Sequence, residues 1–173
     1  MEAQALLGGR EVGRVLGIPW HPRSDEFSVQ VKIKASKKGN RAQENMTATE
    51  IPQLMGVTLT RRILLGITNS CYDVYGLVSP ITIQLKIELR NLLKPEFNLG
   101  WDDPVPDILK EKWIKILQLL KSAEGLRFKH CIKPENHVGQ PILIVCNDGS
   151  EGAMCVTAHV RWEIEDGSFL CYL

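Results

Sequence analysis

No apolar run in this chain approaches the roughly 20 residues that a membrane-spanning helix requires, so no membrane partner is expected. Met1 to Arg10 lacks the basic start and long apolar core of a signal peptide. Net charge is nearly missing as well. The chain has 21 Lys and Arg against 20 Asp and Glu, for a formal +1, which excludes the global basic field of a dedicated nucleic-acid binder. Cysteine is sparse and scattered: Cys71, Cys131, Cys146, Cys155 and Cys171 are odd in number and form no Cys-x-x-Cys pair. A disulfide framework or zinc knuckle is therefore not expected, and the five read as reduced thiols of an intracellular protein. His130, Cys131 and His137 lack a fourth ligand at zinc-site spacing.

What is present is ordinary in amount and uneven in distribution. A length of 173 residues can bury one respectable core or two small ones. Residues 1–100 carry 13 Lys/Arg against 9 Asp/Glu, and residues 101–173 carry 8 against 11. The halves thus differ in sign, +4 and −3, which suits a nucleic-acid-facing piece joined to an acidic one.

Residues 13–20 read as a short strand broken by Pro19, and Phe27 to Lys34 alternates apolar and polar residues as a half-buried strand does. His21 to Asp25 supplies the turn of the resulting hairpin. Lys32 and Lys34 fall on its wet face, and Lys37, Lys38 and Arg41 extend that basic face through a polar loop. Such cations become phosphate contacts only where a fold aims them at a groove. Thr58 or Thr60 can cap a helix running to about Cys71, with Ile63, Ile67 and Cys71 as its apolar stripe. Arg61 and Arg62 in its first turn oppose the helix dipole, as residues facing an anion would. Ser79 to Leu93 is ambiguous: Ile81, Ile83, Leu85, Ile87 and Leu89 alternate as in a strand, yet Ser79-Pro80 is a helix start. Trp101-Asp102-Asp103-Pro104 reads as a rigid turn with Trp101 anchored in a core. Asp107 to Glu124 is the clearest helix, with Ile108, Leu109, Trp113, Ile116, Leu117 and Leu120 on one face. Its other face carries Lys110, Glu111, Lys115 and Lys121, and Gly125 ends it.

Ile142 to Cys146 is an uninterrupted apolar run of the kind buried on both faces of a sheet. Asp148-Gly149-Ser150 follows it, and Cys155 to Trp162 has the composition of a partner strand. Asp-Gly is a favoured tight-turn pair. A carboxylate at the lip of a buried strand is equally where a metal-dependent nuclease places one. From the residues alone both readings stand.

A resemblance separates them. Asp148-Gly149-Ser150-Glu151-Gly152-Ala153-Met154 is similar to the opening of the ribonuclease H region in Pol polyproteins of BEL/Pao-type LTR retrotransposons. Thr60-Arg61-Arg62, Tyr72-Asp73 and Gly76-Leu77-Val78-Ser79-Pro80-Ile81-Thr82 resemble the thumb region of the same polyproteins, which favours a helix after Ser79. Val74 stands where that family usually carries Pro. Leu16, Gly17 and Trp20, with Asp25 and Phe27, resemble the primer-grip hairpin after the polymerase palm.

The resemblance implies an α+β chain in three parts: the end of a palm and primer grip with a basic loop over 1–57, a helical thumb or connection segment over 58–125, and a linker with the first strands of an incomplete ribonuclease H-like sheet over 126–173. Asp148 becomes one member of an incomplete catalytic carboxylate set and a weak metal ligand. Lys32, Lys34, Lys37, Lys38, Arg61 and Arg62 become nucleic-acid contacts. Magnesium belongs to the complete parent enzyme, since two-metal hydrolysis needs several carboxylates, and none is expected to bind tightly here. An RNA/DNA duplex and the rest of the polyprotein are the implied partners. An alternative is a domesticated protein-interaction module. The same polyprotein region also carries the name Pao retrotransposon peptidase, but aspartic peptidases use Asp-Thr-Gly or Asp-Ser-Gly pairs. In Asp148-Gly149-Ser150 the hydroxyl comes one position too late, so that reading is disfavoured.

Overall fold

Alternation becomes strict from Val31 to Lys34, after both Phe27 and Ser28 are buried, but the ladder ends earlier than the alternation. In the computed structural model, which describes residues 12–15, 17–34, 45–71 and 73–172, strand β3 spans only Glu26–Ser28. Beyond it the chain stays extended and presses Val31 and Ile33 into the helical core, both fully buried, while Lys32 and Lys34 face solvent. Asn45 replaces a strand neighbour there. Its amide donates to the Val31 carbonyl at 2.8 Å and accepts from the Ile33 N–H at 2.7 Å. Buried backbone polar groups need partners of some kind, and one side chain supplies two of them.

The stretch expected as a single broken strand is itself a hairpin. β1 (Gly13–Val15) and β2 (Ile18–His21) pair antiparallel. The chain reverses at Gly17, whose φ of 87° is the left-handed conformation glycine accepts freely. β2 pairs β3 in turn, and β3 pairs β4 (Arg127–Lys129), giving a four-stranded sheet in the order β1-β2-β3-β4. The segment after the long helix is therefore more than a connection, because its first residues close the sheet built by the start of the chain.

Three helices lie between, preceded by a 3-10 helix at Ile51–Gly56. Helix α1 (Arg61–Thr68) is capped by Thr60, whose hydroxyl accepts from the Ile63 N–H at 3.3 Å. Helix α2 (Ser79–Asn91) resolves the ambiguous stretch in favour of helix. Asp73 accepts hydrogen bonds from the N–H groups of Leu77 and Val78 just before it. Thr82, Leu85 and Glu88 form its buried stripe, with Val78 and Leu92 flanking it. Helix α3 (Asp107–Ser122) lays Trp113, Ile114, Leu117 and Leu120 into the same core as Leu64, Ile67 and Leu85.

Its buried face is the expected one at Trp113, Ile116, Leu117 and Leu120, with departures at its two ends. Ile108 is 77% exposed, whereas Lys110 and Lys121 are buried. The long lysine stems cover apolar surface, and each ammonium group finds a carboxylate, Asp107 at 2.9 Å and Glu124 at 2.7 Å. Trp101, expected in the core, is half exposed.

A second sheet follows in the order β5-β6-β7, from β5 (His137–Gly149), β6 (Met154–Ile164) and β7 (Phe169–Tyr172). The α+β class thus holds. The apolar run in β5 is not buried: Ile142, Leu143 and Val145 are all more than half exposed. Trp162 and Ile164 are the buried residues of this sheet, with His137 edge-on to Trp162 at a 5.0 Å ring separation. The β5–β6 hairpin tip approaches α2, where a Cβ on Gly152 would lie 4.0 Å from Ile87 Cδ1.

Candidate nucleic-acid interface

Asp148 lies near the end of β5, which pairs only with β6 among the described strands and is thus an edge strand rather than the central one. It sits opposite Cys155 in the ladder, exposed, and one carboxylate oxygen accepts from the following Gly149 N–H at 2.9 Å. The ladder continues one pair further, to Gly149 and Met154. The turn is made by Ser150 to Ala153, closed by the Ser150 N–H donating to the Ala153 carbonyl at 2.9 Å. Gly149 does not adopt a positive φ. Asp148-Gly149 is therefore the last part of the strand, and the tight-turn reading of that pair is corrected.

The donor set around Asp148 does not fit a two-metal centre. Among the described residues no three His, Cys, Asp or Glu side chains cluster to hold an ion. Glu163 shares a sheet face with Asp148 by alternation, since Asp148 pairs Cys155 and Glu163 lies further along β6. At about 3.3 Å per residue the two are roughly 26 Å apart along the strand, far beyond shared coordination. Asp166 is committed elsewhere. It accepts from the Ser168 backbone N–H at 2.8 Å, and hydrogen bonds from Ser168 hold its carboxyl below the usual range.

The cations expected to face phosphate fall into two groups. Arg62 makes a forked pair with Asp102, at 2.9 and 3.0 Å, and the carboxylate raises the pKa of its guanidinium, chiefly through that hydrogen bond. Arg61 donates to the Leu99 carbonyl and lies over the Trp101 ring, 4.9 Å from its centre. The loop 99–103 thus supplies the negative partner that two arginines at a helix N-terminus require. The Asp102 carboxylate stands where a phosphate was expected. Lys32 and Lys34, by contrast, are exposed, and among the described residues neither forms an ion pair. Ser70, just past the end of α1, donates to the Lys32 carbonyl. The lysines therefore flank the C-terminal end of α1 and the arginines its N-terminal end, about 12 Å apart for eight residues.

Lys37, Lys38 and Leu16 lie outside the described residues. Gly17 forms the β1–β2 turn. The Trp20 indole N–H donates to Asp25 at 3.1 Å, which ties the hairpin to its own following turn. A feature with no motif in the sequence lies nearby: Phe27, Tyr75, Phe128 and His130 assemble into one ring cluster. The single aromatics at 27, 75 and 128 are far apart in sequence: the β3–β4 pairing sets Phe27 opposite Phe128, and the loop before α2 brings Tyr75 against both.

No curated protein and no solved structure matches this chain. Residues 60–173, which take in the three helices, β4 and the whole second sheet, match the family described as the Pao retrotransposon-like RNaseH-like domain. The chain belongs to that family.

Proposed function

We propose that this chain is a part of a Pao-type Pol polyprotein in which the end of a reverse transcriptase runs into a ribonuclease H-like region, and that it holds nucleic acid without cutting it. The family match over residues 60–173 carries the retrotransposon reading. The absence of hydrolysis is argued from the solitary position of Asp148, because two-metal phosphodiester cleavage needs ions about 3.5–4 Å apart held by several carboxylates. Magnesium chemistry and the remaining carboxylates belong to the complete parent enzyme. The rest of that polyprotein is the natural partner.

Binding is assigned to Lys32 and Lys34, with a smaller share for Arg62, which is paired with Asp102, and Arg61, which is held by the Leu99 carbonyl and Trp101. Fluorescence anisotropy with an RNA–DNA duplex tests this. Affinity should fall linearly with salt on logarithmic axes, and each lysine-to-alanine change should lower the slope by about 1. No binding at low salt, or a slope indifferent to both lysines, contradicts the reading.

One observation favours a second reading, a protein-interaction module. Leu143, Val145, Val156 and Leu170 share one face of the second sheet by register and are all substantially exposed. Contiguous apolar surface of that kind commonly marks an interface. A stable protein partner whose binding is lost on Val145→Asp would favour it.

A further inference from the structure

The chain has only 11 aromatic residues other than histidine, yet Phe27, Tyr75, Phe128 and Tyr172 line a single cavity of about 560 Å³. That volume lies within the range of about 300–1,000 Å³ typical of ligand sites. β3 and β4 contribute Phe27 and Phe128, the loop before α2 contributes Tyr75, and β7 contributes Tyr172. The Phe27 and Phe128 ring centres are 5.8 Å apart, and those of Tyr75 and Phe128 5.5 Å at a near-perpendicular 72°. Phe27 is buried and forms a fixed floor, while Tyr75 is 55% exposed and presents ring surface to solvent. His130 packs edge-on against Phe27 at 5.0 Å and is held through Nδ1 by Asp25 at 3.1 Å.

We infer that this cavity takes an unpaired base of single-stranded nucleic acid, stacked face-on against Tyr75, with the near-perpendicular Phe128 ring packed beside it. The inference rests on the nucleic-acid reading above and gives it a second site, away from Asp148. Two considerations select this ligand chemistry. Stacking on aromatic side chains is how proteins hold single strands without reading sequence, because every base offers a π face. Among the described residues no carboxylate lines the cavity, while the Lys129 cation does, which disfavours a cationic guest and favours one joined to phosphate.

The test uses the full chain and three probes: a short oligodeoxynucleotide carrying a central 2-aminopurine, the same oligonucleotide annealed to its complement, and 2-aminopurine nucleoside monophosphate. Binding of the single strand should quench the 2-aminopurine emission. Tyr75→Ala should weaken single-strand affinity about tenfold and abolish the quenching, and Tyr75→Phe should preserve both. Duplex affinity should be the same in all three proteins. Duplex binding without single-strand quenching, or an unchanged single-strand affinity in Tyr75→Ala, overturns the stacking site and leaves the nucleic-acid reading intact. Failure of both the strand and the duplex to bind at low salt removes that reading and the site with it. Quenching of the monophosphate but not the oligonucleotide overturns the assignment to a strand in favour of a free nucleotide.

Discussion

The ion pair between α2 and α3 is lopsided, and its two halves should therefore differ in cost. Glu88 and Lys112 meet at 2.9 Å, with the glutamate side chain 11% exposed and the lysine side chain 60% exposed. Removing the lysine leaves a carboxylate that is almost out of water and has lost its partner. Removing the glutamate's charge leaves an ammonium group that simply solvates. Breaking a hydrogen bond to a charged group costs about 1.5–3 kcal/mol when the orphan stays buried, so Lys112→Met is expected near that range. Glu88→Gln keeps an acceptor and frees an exposed lysine, and should cost about 0.5–1 kcal/mol. The double variant Glu88→Leu with Lys112→Met replaces the pair by apolar groups of similar size and should recover much of the loss. Urea denaturation followed by circular dichroism reads all three, together with Glu88→Leu alone to close the cycle. A Lys112→Met cost equal to or smaller than that of Glu88→Gln would refute the burial argument, and additive behaviour of the double variant would refute the coupling.

Other expectations follow from backbone and burial. Gly125→Ala, at a φ of +83° just after α3, should cost about 1 kcal/mol from strain alone, since nothing crowds a Cβ there. Gly149→Ala should be nearly neutral, because its φ is ordinary and the new methyl would meet Met154 at 3.8 Å; thermal melts of the two variants decide. In α3, Leu117→Ala should cost about 2–5 kcal/mol, whereas Ile108→Glu should leave stability within about 0.5 kcal/mol. Equal losses would place the wrong face of the helix inward. Cys71 should alkylate more slowly near neutral pH than Cys146 or Cys155, because burial first, and the neighbouring Asp73 charge second, raise its thiol pKa. A thiol-labelling time course by mass spectrometry would contradict this if Cys71 reacted first.

The α2 helix was legible only with the help of the family resemblance, since Ser79-Pro80 and the misleading alternation left the residues themselves ambiguous. Ile83 and Ile87 are only partly covered, and the strand-like pattern mixes a buried stripe with surface apolar residues. Thr60 announced its cap. β4 was not legible, since Arg127-Phe128-Lys129 is too short to carry a period and acquires its meaning from β3. The exposure of β5 was equally hidden. Apolar content belongs to the residues, but burial belongs to their neighbours, and Ile142 to Val145 reads the same whether covered or bare. Lys110 and Lys121 misled for a related reason, because a charged end conceals a stem that packs as well as leucine. At the candidate site, Asp148 was singled out by its motif, but its place on an exposed edge strand was not legible. The fate of Arg61 and Arg62 depended on Trp101 and Asp102, about forty residues away in the chain. The aromatic cavity depended on a pairing that no local pattern encodes.

The central claim, a chain that holds nucleic acid without cutting it, is tested most directly by incubating it with an RNA–DNA hybrid labelled on the RNA strand, with Mg²⁺ or Mn²⁺, and reading anisotropy and gel mobility on the same samples. The account predicts a salt-sensitive complex whose RNA stays intact, with Asp148→Asn indistinguishable from the parent in both readouts. Cleavage of the RNA that Asp148→Asn abolishes would contradict it.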